Sequence, residues 1–206
     1  MHRPLRTLVR LLTFIRPLAL IPPLAVVSPL ALLAAGCDSV PQPPLAQAEK
    51  VDLNRFMGDW YVIASIPTFI EDNAYNAVES YRLAADGTVE TTFTFRDGGF
   101  DGPLKRHTPR GYVVDRTSNA VWGMQFFWPV KADFRIAWVA PDYSETVIAR
   151  VKRDYVWIMA RTPQIPDPDY RRIEQFVAAQ GYDVARLRKV PQRWDADAAP
   201  PTSPAR

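Results

Sequence analysis

Few side chains in this 206-residue chain are of a type that carries covalent or acid–base chemistry, and their spacing limits what that chemistry can be. There is one cysteine, Cys37, and there are two histidines, His2 near the start and His107 in the loop-like stretch "FDGPLKRHTPRG". A lone loop histidine assembles neither a nucleophile with its base nor a metal centre, because each needs several convergent groups. No glycine-rich phosphate loop and no Gly-x-Ser-x-Gly turn is present, so no metal and no cofactor is expected. Carboxylates remain, and pairs of them can serve as general acid and base. Glu79 stands out. In "NAVESYRL", period-two alternation puts it on the face of Tyr81 and Leu83. A carboxylate inside an apolar fold must be paired, hydrated or protonated, so an inward Glu79 would meet an arginine or a ligand's head group. A register slip would instead turn it to water.

Cys37 has a different context, "PLALLAAGCDSV". Before it come an arginine-bearing start, an apolar stretch from Pro17 to Leu33, and the small residues Ala34, Ala35 and Gly36. That order reads as an export signal over residues 1–36. The alternative is a membrane-spanning anchor, which Pro17, Pro22, Pro23 and Pro29 disfavour by interrupting the run. "LAAGC" resembles a bacterial lipoprotein lipobox, which implies acylation of the Cys37 thiol and cleavage before it. The mature fold would then hold no thiol for a disulfide and would rest on its core. The resemblance places the protein in the bacterial cell envelope, lipid-anchored and facing the periplasm, with Asp38 after the cysteine resembling an inner-membrane retention signal.

The formal net charge of +3 suggests anionic partners until its location is considered. Arg3, Arg6, Arg10 and Arg16 all lie in the first 36 residues, which carry no acid; of the 25 basic residues 21 then remain against 22 acidic ones. The basic balance belongs to the leader, and no nucleic-acid partner is expected. Residues 37–50, with the proline-rich "SVPQPPLAQAEK", read as the lipidated cysteine and a flexible tether. Residues 191–206 read as a disordered tail, which leaves 51–190 as the folded domain.

Within that domain, aromatic and β-branched runs alternate with turn signals. Eight strands are expected, at 59–66, 77–84, 89–96, 110–115, 119–127, 133–140, 145–151 and 154–161, with Gly87 supplying the turn in "ADGT". Helical periodicity occurs once, in "DPDYRRIEQFVAAQG", with Asp167 as cap, Pro168 in the first turn, Ile173, Phe176, Val177 and Gln180 on one face, and Gly181 as stop. The pattern predicts an all-β fold: an eight-stranded antiparallel up-and-down barrel with one C-terminal helix packed on it.

Three segments resemble a known family in order. "VDLNRFMGDWYVIA" is similar to the first lipocalin signature, "APDY" at 140–143 to the second, and "DYVWIMARTP" to the third. The similarity covers about residues 51–190 and is nearest to the bacterial outer-membrane lipocalins and the apolipoprotein D group. It implies structural roles for Gly58, Trp60, Asp142, Tyr143 and Arg161: a bend into the barrel, an indole plugging the narrow end, an ordered turn, and a guanidinium over the indole. It also implies a calyx for fatty acids such as palmitate, lysophospholipids or other small hydrophobic ligands, and an outer-membrane location.

Counting back from Arg161 in steps of two, Met159, Trp157 and Tyr155 share the face that the resemblance makes inward. The same alternation groups Trp122, Met124 and Phe126 on one strand and Phe134, Ile136 and Trp138 on another. With Tyr81 and Glu79 they form the expected lining for one or two acyl chains. Aromatics at alternate strand positions also serve simply as packed core, which would make the barrel a filled structural body. The cluster Lys105, Arg106 and Arg110 would touch anionic head groups at the mouth or lie solvated. The expected protein is a monomer or weak dimer that binds and stores or transports its ligand without turnover. The alternative is a lipid- or isoprenoid-modifying enzyme using the same calyx.

Overall fold

A computed structural model describes residues 43–194. The export signal, Cys37, Asp38 and residues 195–206 lie outside the described residues.

The alternating apolar runs form strands β1 (Gly58–Ile66), β2 (Ala74–Leu83), β3 (Thr88–Asp97), β4 (Leu104–His107), β5 (Arg110–Val113), β6 (Val121–Phe127), β7 (Val130–Val139), β8 (Glu145–Ala149) and β9 (Val156–Ala160). Neighbours pair antiparallel in the order β1-β2-β3-β5-β6-β7-β8-β9, β4 pairs with β3, and β1 pairs with β9, Tyr61 opposite Ala160 and Ile66 opposite Val156, so the sheet closes. Closure removes the unpaired edges an open sheet would present. The β2–β3 hairpin turns at Gly87 with φ +78°, and Asp86 Oδ1 accepts from Thr88 N at 3.0 Å.

The barrel thus has the eight staves expected, but the fourth is in two pieces. Leu104–His107, expected as part of a loop, is β4: His107 pairs with Phe93 and Leu104 with Arg96, while β5 continues in the same register with Arg110 opposite Glu90. Pro109 separates them because it has no N–H for the ladder, although its carbonyl still accepts from Thr91 N at 3.2 Å. His107 is therefore a strand residue, stacked on Phe95 with ring centroids 6.1 Å apart.

Helix α2 (Asp167–Ala179) lies outside the barrel and buries Tyr170, Ile173 and Val177 against Ile63, Ala64, Val147 and Ile158. Asp167 is its first helical residue rather than its cap. Pro166 holds the cap position with no side-chain hydrogen bond, and the acid acts on the exposed N–H groups only as a nearby charge.

Both flanking segments stay on the barrel further than their composition suggests. From Pro43, Arg153 Nη2 donates to the Pro43 carbonyl, Ala46 N donates to Gln180 Oε1 at 2.8 Å, Ala48 N to the Ile136 carbonyl at 3.0 Å, and Leu45 joins the apolar layer under α2. The expected tether over 43–50 is thus docked, because its backbone donors find partners along the wall. At the other end a short strand β10 (Arg188–Lys189) pairs with the upper part of β1, and residues 190–194 follow it along the gap between β1 and β2. Gln192 Nε2 donates to the Val62 and Ala77 carbonyls, and Trp194 packs edge-on to Tyr61 at 5.5 Å, so the tail expected from Pro191 is ordered through Trp194.

Candidate functional site

One end of the barrel is sealed by a short helix that the sequence did not announce. Helix α1 (Leu53–Phe56) is capped by Asp52, whose carboxylate accepts from Asn54 N at 2.9 Å and Arg55 N at 3.3 Å. Its last-turn carbonyls would be orphans. Arg161 satisfies them: Nη2 donates to the carbonyls of Arg55 at 2.8 Å, Phe56 at 3.1 Å and Met57 at 2.9 Å, and Nη1 to that of Asp59 at 2.8 Å. The guanidinium also lies 3.7 Å from the Trp60 ring centroid, and the Trp60 indole N–H donates to the Phe56 carbonyl at 2.9 Å. Gly58 makes the bend at φ +94°, and a Cβ there would sit 3.4 Å from Arg161 Nη1. Tyr143, itself at φ +65°, accepts Asp52 N on its hydroxyl at 2.8 Å and carries Arg55 over its ring, while Asp142 orders the turn by accepting Ser144 N at 3.0 Å. All five signature residues thus act at the sealed end.

Phe56, fully buried, projects from α1 into the lower half of the barrel and packs tilted against Trp60 at 5.0 Å and Tyr81 at 5.5 Å and edge-on to Trp122 at 5.6 Å. Trp122 in turn stacks on Phe134 at 5.3 Å. Above this plug the barrel opens into a cavity of about 270 Å³, lined by Glu79, Phe93, Met124, Phe134, Tyr155 and Trp157 on the walls and by the 68–71 loop and Phe126, Phe127, Ala132, Asp133 and Arg150 toward the rim. At ~30 Å³ per water-sized group this holds roughly nine such groups.

Residues 51–192 match the model of a lipocalin-like domain. The chain belongs to this lipocalin-like family. The relatives it resembles include temperature-induced lipocalin-1 of Arabidopsis thaliana, 29% identical with 69% of this chain and 80% of that one covered. Outer membrane lipoprotein Blc of Escherichia coli (strain K12) is 25% identical over 78% of this chain and 90% of its own, and bovine apolipoprotein D is 26% identical over 71% and 79%. Among solved structures, insecticyanin from the tobacco hornworm Manduca sexta superposes with a TM-score of 0.57 at 13% identity, covering 76% of this chain and 87% of that one. At that identity it shows the fold alone.

Against this lipocalin frame, the expected lining residues divide. Tyr155, Trp157, Met124, Phe126, Phe134 and Glu79 line the cavity. Tyr81, Trp122, Ile136 and Met159 face inward but lie in the packed interior, at 2% exposure or less, because Phe56 and its stack fill the space they would have bordered. Trp138 is a correction of direction. A bulge between Ile136 and Trp138 in the β7–β8 ladder reverses the alternation, and the indole lies outside under α2, 6.3 Å from Phe176 with Arg172 over it.

Glu79 faces inward, and the outward alternative is overturned: it is 9% exposed, on the cavity wall, opposite Trp60 on one side and Phe93 on the other. Burial, reinforced by the nearby Glu71 carboxylate, pushes its carboxyl up to about 7, with the Tyr81 hydroxyl opposing. Glu71, in the loop between β1 and β2, accepts the Trp157 indole N–H at 2.9 Å and Thr68 N at 3.1 Å, which ties that loop across the mouth to β9. Burial raises it too, and those two hydrogen bonds hold it down in part. At the rim, Arg150 pairs with Asp154 at 3.4 Å, and Asp133 with Arg135 at 2.9 Å. The rim charges are therefore matched internally, and among the described residues the deep carboxylate Glu79 has no ion-pair partner.

Several of these residues escaped the sequence reading. Phe93 was readable, since "TTFTFR" alternates Thr91, Phe93 and Phe95 inward. Glu71 and Phe69 were not, because loop residues have no period from which a direction follows, and Arg150, expected inside a strand over 145–151, lies just past the end of β8 at Ala149. Among the described residues no group of three His, Cys, Asp or Glu is placed to hold a metal ion.

Proposed function

We propose that this lipocalin binds one end of a small amphiphile in its upper barrel and stores or carries it at a membrane of the bacterial cell envelope, to which acylated Cys37 holds it. Fatty acids and lysophospholipids are the candidate ligands. The observation that carries the reading is the cavity itself, lined mainly by apolar side chains, sealed below by Phe56, Trp60 and Arg161 and open above. Each methylene buried there contributes about 0.8 kcal/mol. A cavity for roughly nine water-sized groups takes the end of a chain, and the rest of a longer ligand emerges past Phe126 and Phe127.

The mouth suits a bilayer. Phe69 on the 68–71 loop and Phe127, Trp128 and Val130 at the tip of the β6–β7 hairpin are 67% exposed or more, with Lys131 beside them. Arg153, in the turn between β8 and β9 at this same end, holds Pro43. Pro43 is six residue steps from Cys37, so an acylated Cys37 keeps Pro43 within about 20 Å of the membrane at full extension. Similarity to the outer membrane lipoprotein Blc supports the outer membrane as the site, and Asp38 is the feature that argues for the inner one.

Lipids extracted from the purified protein and identified by mass spectrometry test the binding reading. About one equivalent of an unchanged amphiphile is expected. A protein that yields none and takes up no added amphiphile saturably contradicts it, and chemical conversion of the ligand would favour the enzyme.

A further inference from the structure

Deep on the β2–β3 wall of the barrel the polar side chains carry oxygen. Glu79 reaches the cavity from β2, and the next inward pair toward the floor is Tyr81 opposite Thr91. Both are 2% exposed; the Tyr81 hydroxyl interacts with the Glu79 carboxyl, and the Thr91 hydroxyl has no hydrogen-bond partner among the described residues. Buried hydroxyls are normally satisfied, so an unpaired one behind a buried carboxylate marks a place where something is missing. Glu71 is a second acid whose charge reaches Glu79, and the Arg161 guanidinium, whose charge reaches the Tyr81 hydroxyl from the floor, is taken up by four carbonyls. Arg150, the cation lining the cavity, is at the rim and occupied by Asp154 and the Tyr155 ring.

Three oxygen-bearing side chains, one of them an acid, with no cation beside them do not suit a carboxylate or phosphate head. Such a head would lie against a like charge in a low-dielectric space once Glu79 ionises. An ordinary alkyl tail does not suit them either, since it would leave the carboxyl dry and unmatched. A primary ammonium carries one positive charge and three N–H donors. We propose that Glu79, backed by the hydroxyls of Tyr81 and Thr91, recognises the protonated amine of an aliphatic or arylalkyl amine inserted nitrogen-first into the cavity. This rests on the cavity being the ligand site and narrows what enters it.

A proton balance follows. Glu79 ionises near neutral pH in the empty protein, so capture of an ammonium draws it fully to the carboxylate and releases its proton where it was still held. Amine affinity therefore rises as pH climbs from 6 to 8, while the amine itself stays protonated. A neutral ligand of the same length shows no such rise.

Octylamine, 1-octanol and octanoate match the cavity in size, and calorimetric titration of each into the full chain at pH 6 and pH 8 decides the matter. The expected result at pH 8 is octylamine at least tenfold tighter than octanoate, with proton release on binding measured at pH 6 in two buffers of different ionisation enthalpy. In Glu79→Gln the octylamine advantage falls at least tenfold and 1-octanol changes by less than about twofold, the latter showing that the cavity is intact. Octanoate binding as tightly as octylamine, amine binding without proton release, or an unchanged amine affinity in the variant overturns the inference and leaves the cavity reading standing. Failure of all three ligands to bind overturns both.

Discussion

Replacing Glu79 by glutamine alters stability in a pH-dependent way whose size follows from its burial. The group's ordinary value is 4.5, and the folded protein holds it up to about 7. The folded state therefore keeps the proton more firmly than the unfolded chain. Stability from this group is complete below about 4.5, declines as pH rises toward 7, and levels off above it. A displacement of about 2.5 units at 1.36 kcal/mol each makes the ionised carboxylate a cost of about 3 kcal/mol at pH 8. Glutamine keeps the shape of the protonated acid and never ionises. Glu79→Gln should thus be about 3 kcal/mol more stable than the wild type at pH 8 and nearly equal to it at pH 4.5. With a urea m-value of about 2 kcal/mol/M, the midpoint moves up by roughly 1.5 M at pH 8. Glu71 is present in both proteins and its own raised value cancels to first order. Urea unfolding followed by tryptophan fluorescence at the two pH values measures the difference. Equal midpoints at both pH values, or a wild type that is the more stable at pH 8, would show that a cation compensates Glu79 and that the reasoning about an unmatched acid is wrong.

Other perturbations separate floor, wall and mouth. Arg161→Ala removes four hydrogen bonds to carbonyls and the cation over Trp60, and should cost about 2–4 kcal/mol, or roughly 5–15 °C in thermal midpoint, with ligand affinity per folded molecule within about twofold of the wild type. Full stability with lost binding would mean that the floor has been misread. Trp157→Ala should weaken binding of a medium-chain amphiphile by about 1–3 kcal/mol, whereas Ile158→Ala, fully buried under α2, should cost about 2–5 kcal/mol of stability and spare affinity. The reverse order in a fluorescence titration would put β9 one residue out of register. Cys37→Ser should release the protein from the membrane fraction, or leave it unprocessed. Trp128→Ser, at an exposed site, should leave the thermal midpoint within about 1 °C while reducing sedimentation with lipid vesicles; normal membrane retention of the first, or unchanged sedimentation of the second, counts against the membrane reading.

The barrel was legible in the sequence because its signal is local. Alternation along β9 gave Tyr155, Trp157 and Met159 one side and Ile158 the other, and that is how they lie. Alternation failed where the backbone adds a residue: the bulge beside Trp138 turned that indole outward, and no side-chain pattern at "FRIAWV" marks it. The stave at Leu104–His107 was hidden because Pro109 divides one strand into two pieces, each too short to show a period. The depth of the cavity was hidden for another reason. Four residues of α1 are too few for a helical repeat, yet they deliver Phe56, which leaves Tyr81, Trp122, Ile136 and Met159 of the expected lining in packed core. The docking of 43–50 and of 190–194 depends on backbone groups finding partners on the barrel wall, and composition carries no record of that.

Methyl NMR of the methionines tests most directly whether the upper barrel, and only that part, receives a ligand. Met124 lines the cavity, Met159 is fully buried in the packed interior, and Met57 follows α1 at the sealed end. With selectively labelled methyl groups and 1-octanol as an uncharged probe, the Met124 signal should shift saturably at one equivalent while those of Met57 and Met159 stay in place. A shift confined to Met57 or Met159, or none at Met124 at any concentration, would contradict a ligand site above the aromatic plug.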